Sequence, residues 1–251
     1  MHTAIVNHIQ PFIDKIETRE KLSEREHEAL RALPQKLIRT AARTRIVEEG
    51  ERPTHSCVVA EGMVYRTKIA ESGRRQIMSF HVPGDFVDLH TVLFKIADHT
   101  IETARNAAVV MVPHEAMLKT AADYPAVGRA FWFDTLVDAS ILRETLLNIG
   151  RRDARARTAH LLCEITVRLR RVGLCRDGRF ELPLTQTDLA DALGVTPIHI
   201  NRVLGKFRAE RLIALDGRTA TILNWAALRD IGEFDPTYLH LEGPKDLHLE
   251  A

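Results

Sequence analysis

What this chain lacks narrows its chemistry before any motif is read. Only three of its 251 residues are cysteine, at positions 57, 163 and 175. An odd number, widely spaced and without a CxxC pair, supports neither a disulfide framework nor a cysteine metal knuckle, so all three are expected to be buried, inert thiols. Long uncharged runs are missing as well. The longest stretch without Lys, Arg, Asp or Glu is Met1 to Ile13, and it contains Asn7, Gln10 and Pro11. That is too short and too polar to cross a bilayer, and no basic start precedes an apolar signal core; the expectation is a cytoplasmic protein with no membrane partner. GxGxxG, GxxxxGK, HExxH and GxSxG are all absent. No catalytic residue and no metal ligand set can therefore be read from spacing.

What is present is an uneven distribution of charge. The chain as a whole carries a formal charge of only +1, but residues 151–229 hold 15 Lys and Arg against 8 Asp and Glu. Residues 1–150 are balanced at 19 against 20, and residues 230–251 are acidic at 1 against 6. A cationic segment in an otherwise neutral chain is what neutralising a phosphate backbone requires. The length suffices for two modest domains with their own cores.

Inside the cationic segment, TQTDLADALGVTPIHINRVLGKFRAERLI (residues 185–213) reads as two helices joined by a sharp turn. Thr185 followed three residues later by Asp188 is a capping signature. Leu189, Ala190 and Leu193 form a short apolar stripe, Ala190 being small enough for a close helix crossing, and Gly194 is a left-handed stop. Val195 plugs the turn, and Thr196-Pro197 restarts a helix, because Pro at the first helical position loses no amide partner. Ile200, Val203, Leu204 and Phe207 then recur at i, i+3, i+4, i+7 and predict a buried face. The opposite face carries Ile198, Asn201, Arg202, Gly205 and Arg208. On a helix lying in a major groove, Arg can bond a guanine edge, Asn an adenine edge, and an aliphatic tip can meet a thymine methyl. A helical hairpin alone is a common motif. Here it continues into Leu212–Leu215, Asp216-Gly217 and Thr219–Leu223, two β-rich runs about a tight turn, which makes it a winged helix.

These segments, together with GRRDARARTAHLLCEI (residues 150–165), LPL before Thr185 and FDPTYLHL (residues 234–241), resemble the cyclic-AMP receptor protein and fumarate-nitrate regulator (Crp/Fnr) superfamily. The resemblance spans most of the chain. It implies an α+β architecture: an N-terminal arm and cyclic-nucleotide-binding-like β-roll, a double-stranded jelly roll, over residues 1–124; a long dimerisation helix and hinge over 125–150; and a winged helix-turn-helix with an acidic tail over 151–251. It also implies a homodimeric regulator that binds double-stranded DNA and works with RNA polymerase.

The residues support that outline independently. Gly50, Gly62, Gly73 and Gly84 punctuate short β-rich runs at 56–60, 63–69 and 76–82, the pattern of a sandwich or roll. Asn106–Val112 is a last strand before a helix begins at His114. Residues 22–33 form a charged packing helix, whereas residues 1–20 show no clear pattern and are expected to be an arm. Phe131, Trp132, Phe133, Leu136, Val137, Ile141, Leu142, Leu146 and Leu147 place apolar residues on more than one stripe of the helix from Pro125 to Ile149, as contact with the roll and a partner helix together would need. Gly150-Arg151-Arg152-Asp153 breaks the pattern and marks a hinge. A helix from Ala154 to Arg171 and a small hairpin over 174–184, turning at Asp177-Gly178, lead into the reader. Trp225–Ile231 adds a short helix after the wing, and FDPTYLHL is assigned to packing.

The resemblance weakens where the effector would sit. The cyclic-nucleotide binders carry a Gly-Glu pair after Gly-Asp-Phe and later an Arg-Ser pair for the cyclic phosphate; here Asp88-Leu89 and His99-Thr100 stand instead. An acidic residue without a nearby Arg repels a phosphate, so cyclic AMP is not expected to bind. The iron–sulfur branch uses clustered N-terminal cysteines, and residues 1–56 contain none. No cofactor is therefore expected, although haem stays open through His81, His90, His99 and His114 as candidate axial ligands. Cys57 beside His55 could be redox-active if exposed.

For the DNA contact, Ile198, Asn201 and Arg202 are the candidate base readers, Arg202 by alignment with the family's base-reading Arg. Thr185, Gln186, Thr196, His199, Lys206 and Arg208 are the candidates for phosphate or other backbone contacts. The family's Glu four residues before that Arg is replaced by Ile198, which removes an acceptor for cytosine. Two other readings are carried along: a ligand-dependent interaction module of the same fold without DNA binding, and an enzyme whose site is assembled from scattered His and Asp.

Overall fold

A computed structural model describes residues 8–17 and 20–241. The first residues of the expected arm, and the acidic tail beyond residue 241, lie outside the described residues. The chain divides into two compact units, Met1–Arg66 with Phe80–Leu136, and Thr67–Ser79 with Val137–Ala251. The division falls inside the long helix rather than at its two ends. It also assigns a β-hairpin tip from the first half of the sequence to the second unit.

The first unit opens on a helix that the sequence reading left as an arm. α1 (Gln10–Glu17) follows Ile9, and Ile9, Phe12, Ile13 and Ile16 are fully buried. They stand at i, i+3, i+4 and i+7, one apolar face of a helix too short to be stable alone. Its stability comes from docking. Phe12 packs edge-on against Phe86 at 4.6 Å and lies 5.9 Å from Phe131. Lys15 bridges two buried carboxylates, Asp85 at 2.9 Å and Asp134 at 2.6 Å. α2 (Glu24–Arg31) starts on a capping box between Ser23 and Glu26.

The roll is built from β1 (Lys36–Thr40), β2 (Arg45–Val47), β3 (His55–Glu61), β4 (Val64–Ile69), β5 (Arg75–His81), β6 (Thr100–Thr103) and β7 (Ala107–Pro113). They form a sheet ordered β1-β7-β3 and another ordered β2-β6-β4-β5. β1, β2 and β6 were not distinguished in the sequence, because five, three and four residues with little alternation give almost no periodic signal. Alternation along the paired β3 and β7 decides the layering. Cys57, Val59 and Val109 join Val47, Val64 and Ile101 in a core shared by both sheets, while Val58, Val110 and Val112 face α1, Phe86 and Phe131. At the Pro83-Gly84-Asp85-Phe86 turn, Gly84 has φ +89°, and a Cβ there would lie 2.8 Å from the Pro11 carbonyl oxygen. The turn needs glycine both for its backbone and to let α1 approach.

After α3 (His114–Asp123), α4 runs unbroken from Pro125 to Arg151. The expected hinge is shorter than four residues, because Asp153 already caps α5 (Ala154–Arg171) through a 2.8 Å bond from the Ala156 amide. The expected hairpin over 174–184 is reduced to a tight turn at Asp177-Gly178 and a three-residue strand, β8 (Arg179–Glu181). β8 keeps one antiparallel bridge to its own preceding segment, Arg179 to Arg176 across that turn, and pairs along its length with β10 (Thr219–Ile222), in a sheet ordered β8-β10-β9 with β9 (Ile213–Asp216). The wing is thus a three-stranded sheet. α8 (Trp225–Ile231) packs on α5, and Tyr238 of the FDPTYLHL segment stacks on buried His160 with ring centroids 5.7 Å apart.

Candidate nucleic-acid interface

α6 (Gln186–Leu193) and α7 (Pro197–Ala209) form the expected helix pair. The local chemistry that sets their ends follows the sequence reading. Thr185 Oγ1 accepts from the Asp188 amide at 3.1 Å, and Asp188 Oδ2 accepts from the Thr185 amide at 2.8 Å. Gly194 takes φ +64° and ends α6, and Thr196 caps α7 by accepting from the His199 amide at 3.3 Å. Arg157, given no role in the sequence beyond lying in the helix from Ala154 to Arg171, donates to the Leu193 carbonyl at 2.9 Å and holds the end of α6.

α7 turns Ile200, Val203, Leu204 and Phe207 inward, all buried. Ile198, His199, Asn201, Arg202, Lys206 and Arg208 are all exposed. Ile198 is 75% exposed, so its apolar tip is open at the helix surface. Over the ten residue steps from Ile198 to Arg208 the helix rises about 15 Å, so its outward face can follow several base pairs of a groove. Gly205 has nothing within 4 Å of an added Cβ, so no packing inside the chain demands a glycine there.

The candidates do not form one cluster. Gln186 Oε1 accepts from Asn201 Nδ2 at 3.1 Å, tying the first helix to the second across their exposed sides. This bond uses one of the two amide protons of Asn201 and leaves the other, with Oδ1, for a base edge. His199, Arg202 and Lys206 line a cleft of about 370 Å³ together with Asp153, Ala154, Arg155 and Val203. The Thr185 hydroxyl already donates to Asp188 Oδ2 at 2.6 Å, so at this helix start the backbone amides, rather than the hydroxyl, are the groups available to an anion.

Two supporting contacts were invisible in the sequence. Arg75, on β5 in the second unit, donates from Nη2 to Asp188 Oδ1 at 2.9 Å and from Nε to Asp191 Oδ2 at 2.8 Å. Gln76 adds a bond to the Ala192 carbonyl at 3.1 Å. Both reach α6 from more than a hundred residues away. Arg155 makes a bidentate pair with Glu210, which holds the Glu210 carboxyl below its usual range, and its guanidinium lies 5.3 Å from the Phe207 ring.

In the first unit the effector region departs from the sequence reading. Asp88 was expected to face a phosphate with no Arg nearby. Its side chain is instead fully buried, accepting from the Cys57 amide at 2.7 Å, and it feels the charge of Arg66, which donates to the Val87 carbonyl. Burial raises the Asp88 carboxyl to about 7 against the pull of that amide and of Arg66. Burial also pushes the Cys57 thiol well above its ordinary value, with Asp88 adding to the shift, so the condition for redox activity is not met. Cys163 and Cys175 are likewise buried free thiols. Of the four histidines, His81 is buried at the end of β5, His114 pairs with the Thr91 hydroxyl at 3.2 Å, and His90 and His99 converge on Asp98. Among the described residues no helix is long and apolar enough to cross a membrane.

Comparison with known proteins agrees with both halves of this description. Residues 37–124 match the family model of the cyclic nucleotide-binding domain, and residues 156–231 match that of the Crp-like helix-turn-helix domain. The transcriptional activator protein FnrL of Cereibacter sphaeroides is 29% identical over 184 residues, 71% of this chain and 72% of that protein. The nitrogen fixation regulation protein FixK of Rhizobium meliloti is 29% identical over 193 residues, 74% and 82% of the two chains. Among solved structures, FixK2 from Bradyrhizobium japonicum superposes with a TM-score of 0.73 at 26% identity, covering 79% of this chain and 98% of its own.

Proposed function

The chain belongs to the Crp/Fnr superfamily of DNA-binding transcription regulators, and on that premise we propose that it acts as a homodimer reading a near-palindromic operator through the outward face of α7. The observation that carries the reading is the split of α7 into a buried apolar face and an exposed face bearing Ile198, Asn201 and Arg202. Arg202 and Asn201 supply the donors that discriminate base edges, and Ile198 supplies an apolar tip for a thymine methyl. His199, Lys206, Arg208, Gln186 and the amides at the starts of α6 and α7, beside Thr185 and Thr196, position the duplex through its phosphates. With Ile198 in place of a carboxylate, the half-site differs from one read through a cytosine amino group.

Dimerisation is supported by α4. Trp132, Leu136, Leu142, Leu146 and Leu147 all stand exposed on it, Trp132 at 67% and Leu146 at 73%. Water does not favour such a surface, and a second copy of the same helix covers it. Two reading helices then meet successive major grooves about 34 Å apart. RNA polymerase is the further partner that membership of the family suggests, and no catalytic role is assigned to any residue.

For the effector domain the reading is that cyclic AMP is not a ligand. Asp88-Leu89 and His99-Thr100 replace the ribose and phosphate partners, and Asp88 is committed to the interior. An iron–sulfur centre is not supported either, since each cysteine is separately buried.

The test is a binding titration of the purified chain against genomic fragments over a range of salt, with its mass in solution measured in parallel. A dimer whose log affinity falls linearly with log salt is expected. A monomer whose affinity for duplex DNA ignores salt would overturn the proposal. Calorimetric titration with cyclic AMP checks the effector reading, which micromolar binding would refute.

A further inference from the structure

We propose that His90, Asp98 and His99 form a binding site for a divalent transition-metal ion in the roll. One ligand atom from each of the three lies within 4.8 Å of those of the other two. His99 Nδ1 is 2.7 Å and His90 Nε2 3.9 Å from the same carboxylate oxygen, Asp98 Oδ1, and the two imidazole rings are 5.2 Å apart. A metal bound by nitrogen and oxygen at about 2.0–2.2 Å replaces the proton between His99 and Asp98 and draws His90 in by a small side-chain rotation.

The donors sit on two backbone segments that are anchored separately. His90 belongs to the short 3-10 turn Leu89–Val92, pinned to buried Asp88 by the Thr91 amide at 2.9 Å and the Thr91 hydroxyl at 2.8 Å. Asp98 and His99 lie just before β6, where Ala97 donates to the Glu51 carbonyl and accepts from the Gly50 amide at 2.9 and 2.8 Å. The two segments are therefore held in place before any ion arrives. The His99 side chain is 6% exposed and that of Asp98 69%, which gives the site a shielded floor and an open entry.

The donor set selects the class of ion. Two imidazoles and one carboxylate suit Zn²⁺ or Fe²⁺, with room left for water or a small ligand, whereas Ca²⁺ and Mg²⁺ require mostly oxygen donors. No motif spacing announces the set, since eight residues separate His90 from His99 and the turn and β6 bring them together. The binding claim stands apart from the DNA-binding reading and is tested without DNA.

The full chain, stripped with a chelator and dialysed, is titrated with Zn²⁺ against a chromogenic competitor, and separately with Co²⁺ while visible absorption is recorded. One equivalent of Zn²⁺ per chain and a Co²⁺ ligand-field band are expected. Asp98→Asn and His90→Gln, both at positions that are not fully buried, should weaken Zn²⁺ binding by more than about 100-fold, beyond the effect typical of an outer-shell partner, and abolish the band. His55→Gln, outside the cluster, should bind as the parent does. Absence of Zn²⁺ uptake by the parent, or parental affinity and an unchanged Co²⁺ spectrum in both site variants, would show that the three groups are only a structural hydrogen-bonded cluster.

Discussion

Arg75→Ala tests whether the reader is held by the hairpin tip that belongs to the same compact unit. The Asp188 side chain has no exposed surface, and its two oxygens divide their work: Oδ2 takes the Thr185 amide and hydroxyl, and Oδ1 takes Arg75 Nη2. Removing the guanidinium leaves a buried carboxylate with one oxygen still satisfied. Breaking a fully buried pair costs about 3–5 kcal/mol. Here the capping bonds remain and the Arg75 side chain is 19% exposed, which brings the expected loss to roughly 2–4 kcal/mol. The second pair, to the 24% exposed Asp191, adds no more than about 1 kcal/mol. The assay is denaturant unfolding of Arg75→Ala, Asp188→Asn and the double variant. Asp188→Asn keeps an acceptor for the cap and removes the charge, so the cycle isolates the ionic term, and a coupling of about 1–3 kcal/mol is expected. A single-variant loss below about 0.5 kcal/mol, or losses that simply add, would show that the contact contributes nothing to holding α6.

The other predictions concern reading, backbone strain and pH. Arg202→Ala should lose about 1–3 kcal/mol at one base pair of each half-site and relax specificity there, while Lys206→Ala should weaken all sequences alike and lower the salt slope by about 1; equal losses on every sequence for Arg202→Ala would refute base reading. Gly84→Ala and Gly73→Ala share a left-handed backbone, at φ +89° and +79°, but only the first places its Cβ against backbone, 2.8 Å from the Pro11 oxygen. Each should lose about 1–2 kcal/mol to strain, with a distinctly larger drop in melting temperature for Gly84→Ala; equal drops would mean that α1 does not rest on the turn. Asp88→Asn should stabilise the protein in a pH-dependent way. The folded carboxyl titrates at about 7 and an unfolded one near 3.8, so the native state holds a proton that the unfolded chain releases, and wild-type stability falls as pH climbs through that window. The advantage of the variant should be small near pH 4 and grow to at most roughly 4 kcal/mol above pH 7; a gap independent of pH would place the titration elsewhere.

The parts of this molecule that could be read from the sequence are those whose chemistry is local. Thr185 with Asp188, Gly194 and Thr196-Pro197 each specify a helix end within four residues, and α5, α6, α7, α8 and the wing strands fall where those signals put them. The inward stripe of α7 was equally legible, because four positions at helical spacing suffice to define a face. α1 carries the same spacing in Ile9, Phe12, Ile13 and Ile16, but over a single short stretch interrupted by Pro11. The turn glycines marked where strands change direction and said nothing about which strands pair. β8 shows the consequence: read as half of a local hairpin, it keeps a single bridge across the Asp177-Gly178 turn, and its main pairing is with β10, some forty residues away.

The side-chain contacts that escaped the sequence share one physical property, in that the partner lies far along the chain and is charged or polar. Arg75 looks like one of many surface arginines until Asp188 and Asp191 are brought to it. Lys15 sits in a segment with no evident pattern until Asp85 and Asp134 enclose its ammonium group. Asp88 was judged by the phosphate it could repel, whereas burial decides its behaviour: turned to the Cys57 amide, it is an interior group whose charge depends on pH. Apolar periodicity reports a face because burial of apolar area is additive and without direction. Ion pairs and buried carboxylates depend on the geometry of a single partner. In this chain they hold α6 in place and fasten α1, and at the turn before β6 they gather two imidazoles around Asp98. The sequence therefore announces a reader of DNA plainly, while the ion pairs that hold α6 and α1 become visible only when the fold brings distant charges together.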